Sequence, residues 1–203
     1  MKDQIIIALE GIDGSGKTTQ AKLLSDKLNF GNISTEYLAP STDLPSSQYL
    51  IHLVNVAKPL DPKLFMYVYG AMVFNLESSA DVIVLDRYID TSRASSLVNG
   101  IQHSEIELAF MLHKKATITI VLKVDPEISL KRKGGVVQPI ESGSSDIIAG
   151  SQFDSFSDYQ KALQDKYLQF ADQNPSSYIV LDGNLPIGEL NEILFEKVIT
   201  RLK

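Results

Sequence analysis

The sequence predicts an α/β fold: a doubly wound five-stranded parallel sheet with helices on both faces and a small mobile lid. Two observations carry this. Five β-rich apolar runs alternate with helical stretches along the chain, the pattern of a parallel sheet whose crossovers are helices. The first run is continuously apolar, as in a strand buried on both faces, and leads directly into a glycine-rich loop. At 203 residues the chain can bury a sizeable core, so a single domain over 1–203 is expected, with the lid at about 134–152.

Gln4 to Leu9 is the first strand. Gly16 to Leu28 carries Ala21, Leu23, Leu24 and Leu28 at helical spacing. Ile33 to Leu38 reads as a second strand. Asp61-Pro62 opens a long helix to about Ser79, with proline at a first helical position. Asp81 to Leu85 is a third strand bounded by charge, followed by helices at about 91–99 and 104–114. Thr117 to Val124 is β-branched and ends at Asp125-Pro126, where a helix runs to Lys133 and stops at Gly134-Gly135. Gly134 to Ser151 has four Gly and four Ser without periodicity, so a mobile loop is expected. Ser155 to Asp172 is helical, Ser177 to Leu181 is the fifth strand, and Ile187 to Lys203 is a closing helix.

Composition excludes several functions. Nineteen Lys and Arg against 25 Asp and Glu give a net charge of −6, which argues against a nucleic-acid polymer as partner, since that needs a cationic surface. The absence of cysteine removes disulfides, thiolate metal sites and a cysteine nucleophile. The apolar run at 5–9 is too short to cross a membrane, and a cytoplasmic protein is expected. His52, His103 and His113 are too scattered for a metal cluster. Of the basic residues only four are arginine: Arg87, Arg93, Arg132 and Arg201.

Gly11-Ile12-Asp13-Gly14-Ser15-Gly16-Lys17-Thr18, followed by Thr19, matches G-x-x-x-x-G-K-[ST] in full, between a buried strand and a helix. Its glycines let backbone N–H groups turn inward around phosphate oxygens, and the helix N-terminus adds its positive end. Lys17 should reach the β and γ phosphates and the Thr18 hydroxyl should ligate Mg²⁺. No N-K-x-D segment follows a later strand, so a guanine-reading switch is disfavoured and a small phosphotransferase favoured. The third strand runs into Asp86-Arg87-Tyr88. An acid there is positioned for Mg²⁺, and the adjacent arginine can bridge two phosphates as charge moves between them; the alternative is an ordinary salt bridge at a strand end.

On these residues, Leu9 to Gln20 and Asp86-Arg87-Tyr88 with Thr91 and Ala94, the chain resembles the thymidylate kinase family of P-loop nucleoside monophosphate kinases. The similarity extends to Leu122 to Glu127 with Leu130 and Arg132, and to Phe153-Asp154 with 159–171. The resemblance implies Mg²⁺-dependent transfer of the ATP γ-phosphoryl group to dTMP and, by analogy, a homodimer built through apolar helices such as 62–79. It implies that Asp13 contacts the acceptor sugar and organises the metal site, that Asp86 serves the metal, that Arg87 clamps both phosphates, and that Arg132 lies near the donor base. A kinase for another deoxynucleotide or small metabolite, and a non-catalytic ATP-binding module, remain the alternatives.

The chain departs from the family's pattern where arginines are concerned. Leu38 stands where an arginine would meet the acceptor phosphate, and Ala71 where one would read the base. The helix around 64–71 keeps Phe65, Tyr67 and Tyr69 as stacking candidates, the alternative being core or interface residues. Ser95 replaces an aromatic. Neither Gly14 nor the lid supplies an arginine, and Gln152 and Gln164 stand where others are common. Lys131, Lys133 and Arg93 are the cations left to substitute.

Overall fold

The computed structural model describes residues 4–56, 58–74, 76 and 78–202. Its centre is β1 (Ile5–Gly11), flanked by β3 (Val82–Asp86) and β4 (Ile118–Lys123), with β2 (Thr35–Leu38) and β5 (Tyr178–Asp182) at the edges. The order is β2-β3-β1-β4-β5 and every pairing is parallel. Alternate residues of β1 feed two cores, which is why the run is apolar throughout. Ile7 and Leu9 pack with α1 (Lys17–Phe30) and α10 (Ile187–Leu202). Ile6 and Ala8 pack with Tyr69, Met72 and Val73 of α4 (Pro62–Phe74). On that same side α5 (Ile89–Val98) and α9 (Phe156–Gln173) meet through Ala94, Tyr159, Leu163 and Tyr167.

Outside the 134–152 segment, two helices lie where the sequence predicts none: α2 (Pro40–Asp43) and α3 (Ser47–Val56). In α3 only Ser47 and Leu50 are buried, while Tyr49, Ile51 and Val56 are exposed, so little of this helix is held by the core. Helix α4 stops at Phe74, short of the expected Ser79, with positions 75 and 77 outside the described residues. Helix α6 (His103–Phe110) is likewise shorter than expected, and α7 (Pro126–Arg132) starts at its proline behind an Asp125 cap.

The 134–152 segment is not structureless. It contains α8 (Pro139–Ser142), opened by a reciprocal cap between Gln138 and Glu141. Leu60 holds the segment at both neighbours of Ile148: its N–H donates to the Ile147 carbonyl at 2.6 Å and its carbonyl accepts from Ala149 N–H at 2.9 Å. Ile148 is buried there against α9. Serine and glycine content hid this because three isoleucines, Ile140, Ile147 and Ile148, make the contacts.

The chain order reverses beside β1: β1 connects outward to β2 past β3, and β3 connects to β4 on the other side. Such a switch point opens a crevice at the carboxyl ends of the strands. Gly11 ends β1 in that crevice, and Asp86 ends β3 beside Leu9. No helix among the described residues is long and apolar enough to cross a membrane.

Candidate functional site

The turn from β1 into α1 is glycine-rich because three of its positions have positive φ: Gly11 at 144°, Gly14 at 81° and Gly16 at 96°. Close approach adds to the requirement at two of them. A Cβ on Gly11 would lie 2.7 Å from the Leu122 carbonyl oxygen, and one on Gly14 would lie 2.6 Å from that of Ser129 in α7. The loop is therefore clasped by β4 and α7 while its other side lines an open cleft of about 1040 Å³.

Asp13 to Lys22, except Ala21, line that cleft with Asp86, Arg87, Arg132, Lys133 and the turn from Gly183 to Ile187. Gly11 and Ile12 lie behind this wall: Ile12 is buried and gives its carbonyl to the Lys17 ammonium at 2.6 Å. Burial, with the Arg87 charge assisting, lowers the Lys17 pKa to about 8 against the pull of Asp13, Asp86 and Glu10. The Thr18 hydroxyl donates to Asp86 Oδ2, and Asp86 Oδ1 is buried without a partner. One unpartnered carboxylate oxygen beside a hydroxyl that lines the cleft suits Mg²⁺, which prefers one or two protein oxygens and takes the rest from phosphates and water. Thr19 lines the cleft as an exposed residue. Arg132 holds the far end, its Nη1 donating to the Gly183 carbonyl at 2.9 Å.

A second cavity, of about 310 Å³, lies between α3, α4, α5, α8 and α9. Its walls include Leu50, Ile51, Val54, Phe65 and Leu163; the hydroxyls of Thr91, Ser95, Tyr69, Tyr159 and Tyr167 line it together with the amides of Asn55 and Gln138 and the carboxylates of Asp13 and Glu141. Burial raises the Tyr69 and Tyr167 pKa values, so both stay neutral. Tyr69 Oη is buried and without a partner. Arg87 is the cation lining this cavity among the described residues.

The two cavities share Asp13, Ser41 and Arg87. Arg87 has φ of 74°, unusual for a side chain of its size; its N–H donates to the Leu9 carbonyl, and its Nη2 donates to Asp13 Oδ1. Nη1 reaches the Gly11 carbonyl at 3.5 Å and the Thr91 hydroxyl at 3.4 Å. Burial would raise the Asp13 carboxyl, but Arg87, Lys17 and Lys133 together outweigh it and hold it below the usual aspartate value. Gln160 of α9 fixes the same acid, accepting from Asp13 N–H at 3.0 Å and donating to Asp13 Oδ2 at 3.1 Å. This arrangement places charge and donors at the seam of two cavities, the geometry for moving a phosphoryl group from one bound molecule to another.

Several expected residues lie elsewhere. Tyr67 is on the outer face of α4, half exposed and outside both cavities. Ala71 shares that outer face, lining a groove with Phe74, Leu108 and Met111 of the α4–α6 surface. The α4 residues facing the inner cavity are Phe65 and Tyr69, one turn apart and stacked with centroids 5.8 Å apart. Leu38 packs into the core beside α4, and α2 presents Ser41 and Thr42 to the cleft instead. Arg93 is bound to Asp90 and Glu107 and lies over the Phe170 ring, away from both cavities.

Glu10 and Gln160 went unassigned in the sequence reading. Glu10 is fully buried and accepts from Tyr88 N–H at 2.9 Å and from the Thr91 hydroxyl at 2.7 Å. Burial, with Asp90 nearby, raises its pKa to about 8. An acid interrupting a buried apolar strand is itself a sequence signal; Gln160 carries none.

A family model described as thymidylate kinase matches residues 9–193. The chain is 28% identical to a protein named probable thymidylate kinase 2 from Saccharolobus solfataricus, over 92% of this chain and 91% of that one. It is 30% identical to a probable thymidylate kinase from Methanocaldococcus jannaschii, over 90% and 88%. It is 23% identical to a thymidylate kinase from Ruegeria pomeroyi, over 98% and 96%.

Proposed function

Since the chain belongs to the thymidylate kinase family and is a phosphotransferase acting on a nucleoside monophosphate, we propose that it moves the γ-phosphoryl group of ATP to dTMP, forming ADP and dTDP. The observation that carries this is the meeting of the two cavities at Asp13 and Arg87. The larger cleft, with the glycine loop and Lys17, takes the donor triphosphate, and its far end at Arg132 and Gly183 takes the donor base. The smaller cavity takes the acceptor. Phe65 stacks on its base, neutral hydroxyls suit an uncharged pyrimidine edge, and Asp13 and Thr91 lie toward the sugar and phosphate.

In the transfer an acceptor phosphate oxygen bonds to the γ phosphorus as the bond from phosphorus to the β–γ bridging oxygen breaks. The electron pair leaves with ADP. Backbone N–H groups of Gly14 to Thr18 and the Lys17 ammonium hold the donor phosphates, and Arg87 reaches both substrates from the seam. Thr18 and Asp86 would hold Mg²⁺, which supplies further charge neutralisation when bound. The 134–152 segment serves as the lid over this seam. The exposed apolar face of α4 and α6, with Phe74, Leu108, Met111 and Leu112, is the surface on which a second copy would dock, and a cytoplasmic setting accompanies this role.

An acceptor panel with ATP and Mg²⁺, following ADP release, tests the reading. Preference for dTMP over other monophosphates by about tenfold or more, abolished in Lys17→Ala with the circular dichroism spectrum unchanged, is the expected outcome. Absence of turnover with every monophosphate refutes it.

A further inference from the structure

We propose that Lys133 is a catalytic cation which meets the phosphoryl group during transfer, and that Glu141 holds it between turnovers; this rests on the phosphotransfer reading above. Lys133 caps α7, the helix packed so closely on the loop that its Cγ lies 3.1 Å from where a Gly14 Cβ would be. Its aliphatic stem therefore runs along the loop, and its ammonium donates to Glu141 Oε1 at 2.8 Å. Lys133 lines the larger cleft and Glu141 the smaller cavity, so the pair spans the seam.

The pair is also wired to the acid at the seam. The Glu141 carbonyl accepts from Gln160 Nε2 at 2.9 Å, and the same amide nitrogen donates to Asp13 Oδ2 at 3.1 Å. Lys133 is close enough to help hold the Asp13 carboxyl ionised. The loop, α9 and α8 are thus joined through contacts that all lead to the point of transfer.

Charge on a phosphoryl group in transfer spreads over its three equatorial oxygens. Lys17 approaches from the loop and Arg87 from the end of β3. On the side of the 134–152 segment, Lys133 is the cation positioned to meet the third direction among the described residues. Arg132 is turned to the Gly183 carbonyl, Lys131 is exposed outside both cavities, and Arg93 is bound to two acids. An ammonium on a flexible stem can leave a carboxylate for a more highly charged polyphosphate without backbone movement. Glu141 keeps the cation paired when the cleft is empty. Lys133 offsets charge on the moving group by proximity and forms no bond to it.

Single-turnover transfer from ATP to dTMP in Lys133→Met, Lys133→Arg and Glu141→Gln, with ATP affinity measured alongside, tests the assignment. Lys133→Met is expected to lower the transfer rate on the order of 10²-fold with ATP affinity within about threefold. Lys133→Arg should recover at least about tenfold of that loss, and Glu141→Gln should lose at least about tenfold less than Lys133→Met. A Lys133→Met rate within about threefold of wild type overturns the inference alone. So does equal loss in Lys133→Met, Lys133→Arg and Glu141→Gln, since the ion pair would then be structural. Wild-type protein without transfer activity overturns the phosphotransfer reading and carries this inference with it.

Discussion

Replacing Arg87 with methionine keeps most of the side-chain stem and removes the charge that two buried acids share. Breaking a fully buried ion pair by removing one partner costs about 3–5 kcal/mol, and breaking an exposed one about 0–1 kcal/mol. The Arg87 and Asp13 side chains are 21% and 25% exposed, so an intermediate loss of about 2 kcal/mol near neutral pH follows. The loss should depend on pH. Arg87 lowers the pKa of Asp13 and opposes the burial that raises Glu10 to about 8. Without it both native-state values rise, so the folded variant binds more protons than folded wild type, and its stability declines more steeply as pH increases. At about pH 5 Asp13 is already ionised in folded wild type, so the loss of its partner should be present there; above about pH 8 Glu10 ionises in wild type but less readily in the variant, so the loss should grow further by about pH 9.5. Urea unfolding of both proteins at the two pH values measures this, and transfer should fall by about 10³-fold in the same variant. A stability loss that does not grow between the two pH values would show that Arg87 is not the counter-charge for Glu10.

Two further outcomes follow from the site. The Lys17 ammonium titrates at about 8 in the empty protein and is needed charged against a triphosphate, so above about pH 8 ATP binding should take up a proton and weaken by up to about tenfold per pH unit. Calorimetry in buffers of different ionisation enthalpy reads the uptake directly, and its absence at about pH 9 would remove Lys17 from the donor phosphates. Phe65→Ala should raise KM for the acceptor about tenfold, in line with the loss of a stacking partner, while Tyr67→Ser on the outer face of α4 leaves it within about twofold. Steady-state kinetics compares them, and the reverse ranking would mean that the base is bound elsewhere.

The contrast between Phe65 and Tyr67 shows where sequence reading stops. Strand β1, the loop and Asp86-Arg87 were legible because each needs a local chemistry: continuous apolar residues, glycines at positive φ, an acid and a base at a strand end. Helix α4 is apolar on nearly every side, so its sequence does not say which aromatic faces the cavity; packing of Tyr69, Met72 and Val73 on β1 and β3 decides that. The contacts that join the site are less legible still. Gln160 reaches Asp13 across 147 positions and Glu141 across 19, distances over which no spacing rule operates. The scarcity of arginine is resolved by the same kind of long-range placement. With Arg93 bound to Asp90 and Glu107, charge at the seam falls to Lys17, Arg87 and Lys133, and of these Lys133 is the one held by a residue of the 134–152 segment. Because the Lys133 ammonium moves from Glu141 to the phosphates on its own flexible stem, its position follows the charge bound in the cleft, which an arginine fixed in the loop would not do.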